Sequence, residues 1–167
     1  MRRLSLALLA LPLFGTPAQA EMVTVTPAQI GEIFCIARVG NDNGILTGLL
    51  SDELRTLIAY SEARNDTIAA ASPDEKPPLG DGIPWGSFPD YAAECSVGSV
   101  AIEGAAARVV VDYSFPAEPG ADYSDTLHLT LTPHPHDPAT GLWRLDDIAY
   151  TVDGTLRQAL EGAFVGL

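Results

Sequence analysis

Three groups of side chains in this 167-residue chain have types and spacing that could do chemistry. The first is a charged row on three strand-like segments. If Leu131 faces Trp143 and Leu129 faces Leu145, His128 lies opposite Asp146; if Tyr113 pairs with Leu127, Asp112 is its other neighbour. A histidine between two carboxylates can act as an acid, a base or a metal ligand. The row lies on the face away from the apolar side chains, where charged ladders meet solvent or a second copy, so a homodimer through this outer sheet face is the accompanying expectation. The second group is His134-Pro135-His136-Asp137, whose imidazoles and carboxylate suit zinc or copper. Six extended residues carry His128 roughly 20 Å from His134, which leaves the set incomplete. No metal and no cofactor is predicted. The third group is Cys35 and Cys95, the only cysteines. They have no C-x-x-C spacing and no nearby histidine, so the even pair reads most simply as one disulfide closing a loop of about 60 residues. Two reactive thiols are the rival reading.

Other chemistries lack their residues. Gly80-Asp81-Gly82 follows no strand, carries an acid where amides should face an anion, and has no downstream lysine, so it is no phosphate cradle. No G-x-S-x-G elbow is present. The remaining candidate is aromatic: Trp85, Phe88 and Tyr91 lie in a proline-rich loop spanning 72–94. They either plug one end of the core or line a binding mouth.

These groups need a scaffold, and the periodicity supplies one. Thr26-Pro27-Ala28-Gln29 is a capping box that opens a helix carrying Ile30, Ile33, Phe34 and Ala37 on one face. The loop Gly40 to Gly44 ends it, and an apolar turn from Ile45 to Leu50 follows. Ser51 then caps a second helix with Leu54, Leu57, Ile58 and Ser61 on one stripe, ending near Ala71. Beyond Cys95 the period becomes two. Val100 and Ile102 mark a first strand; Val109, Val111, Tyr113 and Phe115 a second; Leu127, Leu129 and Leu131 a third; and 142–151 a fourth. Connections near Gly104, over 116–123 and over 133–141 predict an antiparallel meander with one buried face. Thr155 caps a short closing helix. Helices before an antiparallel sheet make the fold class α+β.

Residues 1–20 read as a secretory signal: Arg2 and Arg3, about eleven apolar residues, then Ala18-Gln19-Ala20. The apolar run is too short for a bilayer span, which needs roughly twenty residues, and no lipidation cysteine follows. A periplasmic or secreted protein without a membrane anchor is predicted, with a single domain over 21–167 whose core covers about 26–164. The chain carries a net charge of −13; without Arg2 and Arg3, seven basic side chains face 22 acidic ones. Nucleic acid and anionic lipid are therefore poor partners. A cationic protein, a cation or a neutral ligand remains.

Trp143-Arg144-Leu145-Asp146-Asp147-Ile148, with Tyr150, Gly154 and Leu156-Arg157-Gln158-Ala159-Leu160, resembles small exported bacterial domains of the NTF2-like (cystatin-like) superfamily, in particular the DUF3828-type group. The resemblance implies helices packed into a curved four-stranded sheet, a cone that holds a ligand, an active site or only side chains. Ketosteroid-isomerase-like members use an inward aspartate with tyrosine or acid donors. Here Tyr113 is the only tyrosine in the inward set of strands two and three, and no aspartate alternates inward beside it. The expectation is thus a noncatalytic exported module binding a small apolar ligand or a protein partner through the cone mouth. The alternatives are an isomerase-like enzyme in the cone and an acidic inhibitor or immunity-type protein that masks a basic partner.

Overall fold

The structure, a computed structural model, describes residues 24–118, 120–134 and 136–166. The predicted signal at 1–20 lies outside them. Helix α1 (Pro27–Val39) opens on the expected capping box, with Thr26 and Gln29 bonded reciprocally and Pro27 in the first turn. Its apolar stripe buries Ile30, Phe34 and Ala37. The next helix is a correction. The 45–50 segment is no plain turn, because Asp42 accepts from the amide of Gly44 and caps a five-residue helix, α2 (Asn43–Thr47). Ser51 caps α3 (Asp52–Ala71) as expected, burying Leu54, Ile58 and Ser61.

Strands β1 (Glu94–Glu103), β2 (Ala106–Ser114), β3 (Tyr123–His134) and β4 (Asp137–Ala149) form one antiparallel sheet in the order β1-β2-β3-β4. Helix α4 (Leu156–Gly162) follows, capped by Thr155. The class is α+β, with an open four-stranded sheet. Helix α1 lies on the inner face so closely that a Cβ on Gly31 would fall 2.7 Å from Val109 Cγ1 and 2.9 Å from Val97 Cγ2. The backbone at 49–51 docks beside β4, where the amide of Ser51 donates to Leu145 O and that of Leu145 donates to Leu49 O. Phe34, Leu46, Leu50, Leu54, Val109, Val111, Leu127, Leu145, Ile148, Leu156 and Leu160 are fully buried between these layers.

Two strand expectations change. Val100 and Ile102, read as part of the buried face, are 39% and 57% exposed. A bulge between Val97 and Val100 marks where their half of β1 departs from regular pairing, and α1 packs on the Val97 side of it. The last hairpin is tighter than 133–141, because pairing continues to His134↔Asp137.

Cys35 and Cys95 are joined, with Cα atoms 5.1 Å apart, tying α1 to the start of β1. Among the described residues, no helix is long and apolar enough to cross a membrane.

Candidate functional site

The predicted row of Asp112, His128 and Asp146 does not assemble. Tyr113 pairs with Tyr123 rather than Leu127, which places Asp112 opposite Ser124 and His128 opposite Arg108. On the other side, Leu131 and Leu129 meet Trp143 and Leu145 as expected, but a bulge then makes Asp146 the extra residue and sets His128 against Asp147. Each acid has a structural partner instead. Asp112 accepts from Ser124 Oγ at 2.5 Å. Asp146 Oδ1 accepts from Ser51 Oγ at 2.7 Å and from Arg157 at 2.6 Å, tying α3, β4 and α4 together.

The His134 and His136 rings lie 5.8 Å apart, and the amide of His136 donates to His134 Nδ1. The side chain of Asp137 lies outside the described set. Among the described residues, no three His, Cys, Asp or Glu side chains are placed to hold a metal.

The proline-rich loop is where the structure concentrates its unusual groups. Trp85 is 4% exposed and belongs to the core, whereas Phe88 and Tyr91 are 42% and 50% exposed. The loop therefore plugs and rims at once. It is fastened from below: Tyr150 Oη donates to Pro84 O at 2.6 Å, and Asp125 accepts from Ser87 N, Ser87 Oγ and the amide of Thr151. Between this loop, the end of α1 and α4 lies a cavity of about 440 Å³, lined by Arg38, Leu79, Ile83, Trp85, Phe88 and Tyr91 among others. That volume is in the range of small-ligand sites, roughly 300–1,000 Å³. A broader trough of about 1320 Å³ lies across α1, lined by Cys35, Ile36, Val39, Tyr113 and Tyr123 among others.

Arg38 decides the character of the cavity. Its side chain is 7% exposed, and it forms no ion pair among the described residues. Nε has no hydrogen-bond partner among the described residues. The Tyr91 ring centre lies 5.3 Å from Cζ. A cation over a ring offsets about 0.5–2 kcal/mol, and a position in the last turn of a helix typically about 0.3–1 kcal/mol. Burying a guanidinium costs several kcal/mol. The compensation on hand is the smaller quantity.

Around Arg38 the sheet contributes two phenols and a carboxylate. Tyr113 and Tyr123 stack with ring centres 4.6 Å apart, and Phe88 meets Tyr123 edge-on at 4.9 Å. Among the described residues neither phenol hydroxyl has a hydrogen-bond partner, and both approach Gly86, where a Cβ would fall 3.4 Å from Tyr123 Oη and 3.7 Å from Tyr113 Oη. Asp125, 1% exposed, sits opposite Val111 on the inner face. The inward set thus contains a second tyrosine and an aspartate, contrary to the sequence reading, because β3 begins at Tyr123 and its alternation includes Asp125.

Compared with family models, curated proteins and solved structures, the chain matches none of them.

Burial pushes the Tyr113 hydroxyl well above the usual phenol range, with Asp125 adding to the shift and Arg38 opposing it. Burial and Asp125 raise Tyr123 and Tyr150 as well. A raised phenol keeps its proton in the folded state while the unfolded chain loses it near pH 10, so stability is intact below that pH and falls above it. Tyr113 alone should contribute a slope that reaches about 1.4 kcal/mol per pH unit once the pH is about one unit above that value. Denaturant unfolding at pH 9 to 11 reads this, and a Tyr113→Phe protein with the same alkaline slope would contradict it.

Proposed function

We propose that the chain is an exported, noncatalytic binding module of NTF2-like architecture that takes a small apolar ligand beneath the proline-rich loop. The observation that carries this reading is the cavity with Trp85 in its wall and half-exposed Phe88 and Tyr91 at its rim. Exposed aromatics beside a concave space that also offers a few polar groups, here Arg38, Asn43 and Ser87, are what a small-molecule site requires. Export rests on the 1–20 pattern, and a disulfide is at home in an oxidising compartment.

Asp125 beside two tyrosines also favours a second reading, an isomerase-like enzyme. Against it stands the use of the carboxylate: Oδ1 accepts from Ser87 Oγ and Thr151 N, and Oδ2 from Ser87 N. Asp125 holds the loop to β3 and β4 instead of standing free to take a substrate proton.

The test is titration with N-phenyl-1-naphthylamine, a neutral apolar fluorophore. Saturable binding at one site per chain is expected, weakened about tenfold in a Phe88→Ala/Tyr91→Ala protein. No saturable binding, or binding indifferent to both substitutions, would overturn the reading.

A further inference from the structure

An apolar ligand explains Trp85, Phe88 and Tyr91, but leaves Arg38 without a purpose. A structural arginine in a core is ordinarily paired; this one is 93% buried by area, lines the cavity, and meets no carboxylate among the described residues. Its Nε has no acceptor among the described residues. Asp125, the buried acid of this region, is already occupied by Ser87 and Thr151. Arg38 therefore brings a buried cation with no carboxylate partner among the described residues to the wall of a space that Phe88 and Tyr91 also line. A ligand that satisfies both the cation and the rings needs an apolar body and an anionic oxygen pair, since a carboxylate matches the planar donor fork of arginine.

We propose that the ligand of this cavity is a small carboxylic acid with an aryl or alkyl body, its carboxylate received by Arg38 and its apolar part held by Trp85, Phe88 and Tyr91. This deepens the binding-module reading and rests on it. The net charge of −13 repels an anion at long range. At physiological salt that field decays over about 8 Å, so contact with Arg38 governs the bound state.

Three matched probes separate the terms: 4-phenylbutyrate, 4-phenylbutan-1-ol and 4-phenylbutylamine, titrated by calorimetry into the purified protein. The acid should bind at least about tenfold more tightly than the alcohol, the size of a charge-assisted hydrogen bond, and the amine more weakly than either. In Arg38→Met the acid should fall to the affinity of the alcohol, while the alcohol is unchanged. The same variant should melt at a higher temperature than the parent, because an unpaired buried cation is gone; a structural arginine would give the opposite. Should Arg38→Met not fold, Arg38→Gln carries the same comparison. Equal affinity of acid and alcohol, or preference for the amine, overturns the carboxylate proposal and leaves the apolar site standing. Failure of all three probes, together with that of the naphthylamine, removes the site itself.

Discussion

Serine at both Cys35 and Cys95 is expected to lower the unfolding free energy by about 4 kcal/mol, the chain-entropy value for a loop of this length. The two residues are separated by 60 positions. Within that loop lie α2, α3 and the proline-rich segment, so the bridge restricts about two-fifths of the folded domain in its unfolded state. For a domain of this size the melting temperature should drop by roughly 10 °C. Chemical denaturation of the parent and the double variant measures it; a loss under about 1 kcal/mol would show that the unfolded chain is already constrained without the bond. The expected effect is on stability more than on the cavity, because Cys35 and Cys95 line the trough and not the space under the loop.

Asp125→Ala is expected to cost about 3 kcal/mol and to loosen the loop ahead of the rest of the fold. The carboxylate joins three donors from two places, Ser87 N, Ser87 Oγ and Thr151 N, at 2.9, 2.5 and 3.0 Å. Removing it leaves Ser87 N and Ser87 Oγ without this acceptor in a site where Asp125 is 1% exposed, while Thr151 N keeps Ser87 Oγ at 2.8 Å. Each buried unsatisfied donor costs roughly 1–3 kcal/mol, and relief of the buried charge returns part of the sum. Asp125→Asn keeps one acceptor oxygen but turns an amide toward donors, so about 2 kcal/mol should be lost. Hydrogen exchange would locate the effect: the amides of Ser87 and Thr151 should lose protection before those of β2. Uniform loss across the sheet would mean that Asp125 serves the core, not the loop.

The two acids read as neighbours of His128 show where sequence reasoning reached its limit. Alternation of apolar residues correctly assigned Leu127, Leu129, Val109 and Val111 to one face. It could not assign the register, because sliding one strand by two or four residues keeps every side chain on the same face. The β2–β3 pairing differs from expectation by four residues, and the faces remain right while every cross-strand partner changes. Asp146 failed for a different reason. A bulge adds one residue to β4, and no period along the strand announces it.

Arg38, Tyr123 and Asp125 had weak signals that were present in the chain. Arg38 continues the Ile30, Phe34 spacing at i+4, so it lies on the buried stripe of α1. Asp125 and Tyr123 extend the alternation of Leu127 and Leu129 backwards by two and four positions. A charge on an apolar stripe is ordinarily a sign that the stripe has ended. Here the stripe continues and buries the charge.

Local chemistry determined much of this protein by itself. Thr26, Ser51 and Thr155 begin helices because each hydroxyl accepts from the amide three residues on, and that interaction needs no tertiary partner. The order of α1, α3, the four strands and α4, and the inner faces of β2 and β3, follow from equally short-range patterns. Only the tertiary structure decided that Asp125 would fasten Ser87, 38 positions away, and that Arg38 would be enclosed by Tyr91 and Tyr113 from two other elements. Such contacts depend on strand register and loop path, which the burial of the whole core fixes, and no stretch of chain encodes them alone.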